Sequence, residues 1–303
     1  MRTLVRLFAL LVVVATGAGA QTAPVRNQVR ADDGHMLTLW SKRPAGTPTG
    51  AILLLHGRTW SALPNFDLQV KGTQVSLMDA LVARGYAVYA LDQRGYGATS
   101  RDASGWLTPR RAEMDAVESL DWIAAALNGA RPALLGYSRG SQTALLTAQL
   151  HPAKMSGLVL YAFPYDITAA RQAIPEPAKP PREKTTAAGA AEDFLTPEST
   201  PAGVKDAYVN AATTSDPVRV DWRREEQFHV LDPSQIRVPT LLINGDRDPY
   251  AAAASLGEFY SRLTTVDRWW VVLANADHVA HLEQQAQFVQ ALVSFMERNG
   301  KGR

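Results

Sequence analysis

The chain has 303 residues, of which 46% are apolar, and its formal net charge at pH 7 is +2. This length can bury the core of one large domain, and the near-neutral charge excludes the basic surface that binds nucleic acid. The chain has no cysteine, which excludes disulfides, thiolate metal sites, a cysteine nucleophile and a lipid-modified N-terminal cysteine.

The first 20 residues have the layout of a secretory signal peptide. Arg2 and Arg6 form a short basic head, residues 7–14 are apolar, and residues 18–20 read Ala-Gly-Ala, a small-residue cleavage signal. The apolar run is too short to span a bilayer, although an uncleaved anchor is the alternative. Cleavage would leave 29 basic and 29 acidic side chains. We therefore expect an exported bacterial protein, periplasmic or extracellular, with no integral membrane segment after cleavage.

Strands and helices alternate in the first half of the chain. Short alternating runs on both sides of Asp32-Asp33-Gly34 predict a β-hairpin. A continuous apolar run over residues 50–57 is typical of a strand buried on both faces. The pattern then predicts, in order, helix 73–85, strand 86–92, helix 110–129, strand 132–137, helix 140–150 and strand 157–163.

This alternation stops at about residue 164 and resumes at residue 239. The intervening residues are rich in Pro, Ala, Glu and Lys and contain no predicted buried strand. They are followed by strand 239–245, helix 251–263, strand 268–274 and helix 282–298. Alternating strands and helices predict an α/β fold with a mostly parallel, doubly wound sheet flanked by helices. Residues 164–238 are too many for a structureless loop, so we predict an inserted helical cap.

The predicted domain organisation follows from this division. Residues 1–20 are the signal peptide, residues 21–163 and 239–303 form the core, and residues 164–238 form the cap or lid. The core can supply the stability that an exported protein without disulfides requires.

The stretch Gly136-Tyr137-Ser138-Arg139-Gly140 matches the pattern Gly-x-Ser-x-Gly. It lies between a predicted strand and a predicted helix, where this pattern marks a nucleophilic serine on a sharp turn. The glycines let neighbouring backbone segments pass without a Cβ clash, and the helix N-terminus favours negative charge that develops at the serine oxygen. We predict that Ser138 is a nucleophile; the alternative is a polar residue where a buried strand becomes a helix.

A serine nucleophile requires a base, and two histidines near the end of the chain are candidates. His278 follows the predicted strand 268–274 and precedes the last helix. His281, three residues on, is the rival, and otherwise we expect it to face solvent or cap that helix. We expect no part in catalysis for His35, His151 and His229.

The acid that orients the histidine is expected just after the predicted buried strand 239–245. Asp248 lies well into this loop and precedes Pro249, which restricts its backbone. Asp246 is the alternative, although we expect it to bond within its own loop, and Asp166 is a third candidate. With Asp248 the chain order is nucleophile, acid, histidine, as expected when the serine lies on such a turn.

An oxyanion hole requires backbone amides near the serine. One amide is expected from Arg139, the residue after the nucleophile. The other is expected from the loop after the strand over residues 50–57, where Arg58 is the natural donor and Thr59 the alternative. The ring of His56, at the start of this loop, is expected to brace the loop rather than to contact substrate.

Five landmarks of the sequence resemble those of the α/β-hydrolase superfamily. They are, in chain order, His56-Gly57, Asp92-Gln93-Arg94-Gly95-Tyr96-Gly97, Gly136-Tyr137-Ser138-Arg139-Gly140, Gly245-Asp246-Arg247-Asp248 and Asp277-His278. The likeness covers most of residues 25–300, except the insertion. It implies that Ser138, Asp248 and His278 are the nucleophile, acid and base, and that the amides of Arg58 and Arg139 form the oxyanion hole.

The substrate pocket is less well defined by the sequence. Many members of the superfamily carry a small or apolar residue where this chain has Arg58. The Arg58 side chain would either favour an anionic substrate or point to solvent. Trp60, Tyr137 and Trp106 are candidates to line the pocket, each with ordinary core packing as the alternative.

A serine, a histidine, an aspartate and an oxyanion hole are the groups required for acyl transfer to water. We therefore predict a serine hydrolase that cleaves small-molecule or oligomeric carboxylic esters. The resemblance disfavours dehalogenase and epoxide hydrolase activity, because those relatives use aspartate in place of the serine. We expect no cofactor, and no His-x-x-x-His pattern predicts a zinc site.

Two other functions stay open. An exo-acting serine peptidase or amidase would use the same triad and would require a charged anchor for a free terminus. The acids at 225–226 or 192–193 could supply that anchor, although we expect them to face water. A binding protein that retains the fold without the chemistry is the alternative from another class.

Overall fold

An eight-stranded sheet forms the centre of the fold. The computed structural model describes residues 23–165 and 176–300. The predicted signal peptide, residues 1–20, and Asp166 lie outside these residues. The strands in chain order are β1 (Val25–Arg30), β2 (Met36–Lys42), β3 (Gly50–Leu55), β4 (Tyr86–Asp92), β5 (Trp106–Leu107), β6 (Ala133–Tyr137), β7 (Leu158–Tyr161), β8 (Asp221–Trp222), β9 (Thr240–Gly245) and β10 (Arg268–Leu273).

The spatial order of the strands is β1-β2-β4-β3-β6-β7-β9-β10, with β5 and β8 paired in a separate two-stranded sheet. The predicted hairpin is confirmed, since β1 and β2 pair antiparallel, and β2 pairs antiparallel with β4. All pairings from β4 through β10 are parallel. The predicted mostly parallel α/β sheet is therefore confirmed, and the carboxyl ends of β3, β6, β9 and β10 lie along one edge.

Both faces of the sheet are covered, which explains the continuous apolar run in β3. Leu53 and Leu55 belong to the core on one face of the sheet, and Ile52 and Leu54 belong to the core on the other. All four side chains are fully buried. Burying each such side chain contributes roughly 1.5–3 kcal/mol to folding before entropy is counted, so a polar residue at any of these positions would be costly.

Helices pack on both faces. They are α1 (Ala62–Phe66), α2 (Leu77–Val82), α3 (Pro109–Ala126), α4 (Arg139–Leu150), α5 (Ala187–Ala191), α6 (Val204–Ser215), α7 (Ala253–Arg262), α8 (Ala280–Glu283) and α9 (Gln285–Gly300). Helix α2 begins later than the predicted residue 73, because the Ser76 side chain accepts the Asp79 amide and caps the helix.

The described part of the segment between β7 and β9, residues 176–238, is called the insertion below. It contains α5, α6 and the short strand β8. The prediction of no buried strand in this segment was wrong: both residues of β8 are buried, and β8 pairs with β5. Two residues are enough to form such a pair, but they carry too little pattern to be detected in a sequence.

The insertion lies against the loops that follow the central strands. Tyr208 of α6 belongs to one apolar cluster with Trp60, after β3, and Val279, after β10. The Asp216 carboxylate accepts the backbone N–H groups of Ser61 and Gly97, each at 2.8 Å. No helix among the described residues is long and apolar enough to cross a membrane.

Candidate active site

Ser138 lies on a strained turn between β6 and α4. Its φ of 52° and ψ of −120° are in a region that non-glycine residues rarely adopt. Two close backbone approaches maintain the turn. A Cβ atom on Gly136 would lie 2.2 Å from the Gly140 carbonyl oxygen, and one on Gly140 would lie 2.4 Å from that of Leu55. Only glycine fits at either position, which is the physical basis of the Gly-x-Ser-x-Gly pattern.

The Ser138 hydroxyl is not used to cap the helix that follows. Ser138 occupies the N-cap position of α4, a 12-residue helix, but within the described residues its side chain makes no capping hydrogen bond. A serine that merely joined a strand to a helix would be expected to accept a backbone N–H of the first helical turn with its side-chain oxygen. The hydroxyl instead stands at the positive end of the α4 dipole, where negative charge is stabilised.

His278 is buried and paired with Asp248. Its Nδ1 lies 2.9 Å from Asp248 Oδ2. A carboxylate can only accept a hydrogen bond, so Nδ1 carries the proton and Nε2 is left as a base. The other Asp248 oxygen accepts the Tyr250 backbone N–H at 2.9 Å. The structure therefore brings together the histidine and the aspartate that the sequence favoured, in the orientation that a base and its orienting acid require.

Asp246 has a different role in the same loop. Its side chain is exposed, and its Oδ1 accepts the Ala276 backbone N–H at 3.1 Å. A Cβ atom on Gly245 would lie 2.2 Å from the Ala276 carbonyl oxygen, so the ends of β9 and β10 approach as closely as backbone can. This contact brings the loop with Asp248 next to the loop with His278.

His281 is not at the solvent and caps no helix, so the sequence expectation for it was wrong. Its ring is fully buried, with Nε2 2.7 Å from the Asn65 carbonyl oxygen and Nδ1 2.9 Å from the Tyr161 hydroxyl. The carbonyl only accepts, so Nε2 carries the proton and Nδ1 accepts from Tyr161. Both nitrogens of His281 are occupied by neutral groups, which removes it as a rival base.

The charges around His278 favour its protonated form. Burial lowers the pKa of His278, but the hydrogen bond and charge of Asp248, with smaller contributions from Asp193 and Asp277, raise it above its ordinary value overall. The pKa of the half-buried Asp193 is itself raised by burial, against the charge of His278. The imidazolium that forms when the base takes up a proton is thus stabilised by several carboxylates.

The loop after β3 lies beside the nucleophile. A Cβ atom on Gly57 would lie 3.4 Å from the Ser138 Cβ. Within residues 23–165 and 176–300, the backbone N–H groups of Arg58 and Arg139 have no hydrogen-bond partner. The carbonyl oxygen of Arg58 accepts a hydrogen bond from the Tyr96 hydroxyl. The arrangement leaves two amides beside Ser138, as an oxyanion hole requires.

His56 braces this loop, as predicted. Its Nδ1 lies 2.9 Å from the Gly57 carbonyl oxygen, and its Nε2 accepts the Gln93 backbone N–H at 3.2 Å. Burial lowers its pKa to about 4, so the ring stays neutral near pH 7. Its closest partners are backbone groups, with the Gln93 side-chain amide 3.5 Å from Nδ1, which fits a role in loop architecture.

The Arg58 side chain neither points to solvent nor is left open for an anion. Its Nη1 and Nη2 donate to the two oxygens of Glu225, both at 2.7 Å. The expectation that the acids at 225–226 face water was therefore wrong for Glu225, while Glu226 is exposed. The pairing could not be seen in the sequence because the two residues are 167 positions apart.

The three pocket candidates occupy different surroundings. Tyr137 is buried, and its ring lies 4.9 Å from that of Tyr161 and 5.1 Å from that of His278. Trp60 is buried in the cluster between the core and the insertion. Trp106 is buried in β5, with the Arg223 guanidinium 5.9 Å from its ring centre. The ring of Tyr137 thus packs against that of a proposed triad residue.

Sequence reasoning missed two residues beside His278. Tyr250 is 51% exposed, and its ring packs edge-on against that of His278 with the centres 4.9 Å apart. Asp277 belongs to one of the five sequence landmarks, but the sequence alone does not indicate its role. Its carboxylate accepts the backbone N–H groups of Leu195 and Thr196, at 2.7 and 2.6 Å, and so ties the insertion to the histidine loop.

Comparison with known proteins agrees with this architecture. A curated relative from Metapseudomonas resinovorans, 2-hydroxy-6-oxo-6-(2'-aminophenyl)hexa-2,4-dienoic acid hydrolase, is 27% identical over 278 residues, which cover 88% of this chain and 89% of the relative. A solved hydrolase from Pseudomonas aeruginosa PA01 is similar with a TM-score of 0.66 and 23% identity, over 89% of this chain and 98% of that chain. A thermophilic esterase from Thermogutta terrifontis is similar with a TM-score of 0.65 and 18% identity, over 91% and 100%.

A family model described as "Serine aminopeptidase, S33" matches residues 46–285 of this chain. The match begins before β3 and ends at the start of α9, so it includes the proposed nucleophile, acid and base. Because it spans well over half of the chain, the protein belongs to the serine aminopeptidase family and is a hydrolase of the α/β-hydrolase superfamily.

Proposed function

We propose that the protein is a serine hydrolase that cleaves carboxylic esters through an acyl-enzyme on Ser138. The observation that carries the proposal is the His278–Asp248 pair, with 2.9 Å between Nδ1 and Oδ2, on the edge of the sheet where Ser138 lies on its strained turn. A buried histidine oriented by a carboxylate, on the same edge of the sheet as an uncapped serine, is the arrangement that activates a hydroxyl for attack on a carbonyl.

Acylation would use each group in turn. The Ser138 Oγ attacks the ester carbonyl carbon, and its proton passes to Nε2 of His278, whose positive charge Asp248 stabilises. The amides of Arg58 and Arg139 donate to the oxygen that becomes negative. The C–O bond to the alcohol then breaks, and Nε2 returns the proton to the leaving oxygen.

Deacylation would repeat these steps with water. Nε2 of His278 takes a proton from water as the water oxygen attacks the acyl carbon, and the same two amides bind the second oxyanion. The bond to Ser138 Oγ breaks, Nε2 protonates that oxygen, and the carboxylic acid leaves. The two half-reactions together consume one water for each ester cleaved and release the alcohol and the carboxylic acid.

The substrate is proposed to be a small or oligomeric ester met outside the cytoplasm, in the periplasm or the medium. The signal-like sequence of residues 1–20 supports export. The insertion is proposed to act as a cap, because α6 and Asp216 contact the loops after β3 and β4. The exposed ring of Tyr250, beside His278, would give the entrance an apolar wall.

A serine peptidase or amidase is the second candidate. The family description supports it, and so does Asp193, whose carboxylate is close enough to His278 to affect its pKa. A carboxylate there could bind the ammonium group of a free amino terminus. Rates on p-nitrophenyl esters and on aminoacyl p-nitroanilides separate the two candidates, and faster turnover of the anilides would replace the ester proposal.

Fluorophosphonate labelling tests the catalytic assignment itself. We expect the wild-type protein to be labelled and the Ser138→Ala variant not to be. The control is Ser294→Ala, on α9 and remote from the proposed site, which should label like the wild type. Labelling that persists in Ser138→Ala would contradict the proposal by showing a different nucleophile. A wild-type protein that does not label would contradict it and favour a binding protein. A panel of ester acyl-chain lengths would then define the pocket.

A further inference from the structure

Glu225, on the insertion, binds the side chains of both residues that supply the proposed oxyanion amides. Besides its two bonds to Arg58, its Oε2 lies 2.7 Å from Arg139 Nη2. The three side chains are largely shielded from solvent, with 25% of Glu225, 35% of Arg58 and 20% of Arg139 exposed. A two-pronged carboxylate contact to arginine is among the stronger and more directional ion pairs.

The two arginines lie on separate segments that must meet at the serine. Arg58 follows Gly57, where a Cβ atom would lie 3.4 Å from the Ser138 Cβ, and Arg139 directly follows Ser138. The first segment follows β3 and the second begins α4. Glu225 therefore joins these segments through the side chains of the two arginines.

Without Glu225, the two guanidinium groups would face each other as unpaired like charges. Burial would raise the pKa of Glu225, but its bonds to the arginines outweigh this and hold the pKa below its ordinary value. The pKa of Arg139 is lowered by burial and by the charge of Arg58, against the charge of Glu225. Removing the carboxylate while leaving the arginines would thus introduce repulsion between the two segments.

Two neighbours of Glu225 act on the same arginines. Trp222 donates from Nε1 to the Tyr96 hydroxyl at 2.8 Å, and that hydroxyl donates to the Arg58 carbonyl oxygen. Phe228 packs under Arg139, with the guanidinium carbon 5.4 Å from its ring centre. Residues 222–228 thus hold Arg58 by its backbone as well as by its side chain.

We propose that Glu225 is a positioning residue of the oxyanion hole, which keeps the loop after β3 and the start of α4 at the separation that a tetrahedral intermediate requires. This inference rests on the proposed function, because the amides have this task only in a reaction at Ser138. It gives the insertion a part in the chemistry beyond covering the substrate.

The kinetic test compares Glu225→Gln with Glu226→Gln, which removes the same charge from an exposed neighbour. Losing one oxyanion donor costs about 100- to 1,000-fold in kcat. A donor displaced rather than removed should cost less, so we expect kcat of Glu225→Gln on a neutral p-nitrophenyl ester to fall about 10- to 100-fold, with KM changed less than about threefold. Glu225→Asp keeps the charge and should recover part of the loss.

Three kinetic results with the neutral ester would overturn the proposal. They are an unchanged kcat in Glu225→Gln, an equal loss in Glu226→Gln, or a loss confined to KM. A gain on carboxylate-bearing esters, with neutral esters unaffected, would also overturn it, because Glu225 would then be screening the arginines from anionic substrates.

Amide hydrogen exchange gives a readout that does not depend on turnover. In Glu225→Gln, peptides covering residues 56–60 and 138–142 should exchange faster than in the wild type and in Glu226→Gln. Unchanged exchange in both peptides would overturn the positioning role. A wild-type protein that neither hydrolyses esters nor labels with fluorophosphonate would overturn the proposed function, and the exchange data would still decide whether Glu225 orders these segments.

Discussion

His278 and His281 are three residues apart in the chain, and the groups that surround their rings differ in charge. Both rings are buried. The ring of His278 faces a carboxylate at 2.9 Å, whereas the ring of His281 is bonded to a carbonyl and a hydroxyl. The pKa of His278 is raised, while burial lowers the pKa of His281 to about 4.

The comparison shows that burial alone does not make a base. Burial disfavours the imidazolium in both pockets. Only the pocket with Asp248 compensates for it, and only there is Nε2 left without a protein partner among the described residues. His281 is a structural residue that joins α8 to Asn65 in α1 and to Tyr161 at the end of β7.

Converting Asp248 to asparagine should make the surroundings of His278 resemble those of His281, which contain only neutral partners. An amide can donate to Nδ1, which would place the histidine proton on Nε2 and abolish its function as a base. The same change in a serine protease triad costs about 10⁴-fold in kcat, and we expect a loss of that order for Asp248→Asn. Steady-state hydrolysis of a p-nitrophenyl ester measures it.

Asp246→Asn is the matched control for that experiment. Its side chain is exposed, and the asparagine oxygen can still accept the Ala276 N–H. We expect activity within about threefold of wild type. A comparable loss in both variants would mean that the loop, rather than the Asp248 carboxylate, supports catalysis.

Removing the His281 imidazole should change how stability depends on pH. With its folded pKa at about 4 and an unfolded value near 6.5, His281 contributes stability that is fully present above pH 6.5 and is lost as the pH falls towards 4. The difference corresponds to about 3 kcal/mol. The free energy of unfolding of His281→Gln, from urea titrations between pH 4.5 and 7.5, should therefore approach the wild-type value at acid pH.

His229→Gln, at an exposed position, controls for the loss of an imidazole side chain. Ester hydrolysis by His281→Gln should persist where the protein is folded, since the ring is not a base. If the difference in the free energy of unfolding between His281→Gln and wild type stays constant with pH, the assignment of His281 as a neutral buried group is contradicted.

Much of the fold could be predicted because its signals are local. The apolar run of β3 reports two covered faces, and the hairpin turn and the alternation of elements report the sheet. The predicted ends of the elements were less accurate. Helix α2, for example, begins after its cap at Ser76 and not at the predicted residue 73. Strand β8 has only two residues and depends on its pairing with β5.

The same division applies to the site. Gly136 and Gly140, on either side of Ser138, and Gly245 lie where two backbone segments approach closely. Only glycine fits at such positions, so these turns can be predicted from the sequence. The burial of His281 could not be predicted, because its partners Tyr161 and Asn65 are 120 and 216 positions away. The pairing of Glu225 with Arg58 was invisible for the same reason.

The smallest expected effect comes from Asp193, the insertion carboxylate that contributes to the raised pKa of His278. Asp248 and Asp277 are the other acids that raise this pKa, and burial opposes all three. Asp193→Asn leaves Asp248 in place, so the pKa of His278 should fall without losing its upward shift entirely. The acid limb of the kcat/KM profile, which reports the free enzyme, should move to lower pH, with the plateau rate within about threefold. Glu192→Gln, at the exposed neighbour, should move it less. A limb that stays fixed or moves to higher pH in Asp193→Asn would show that the insertion does not influence the base.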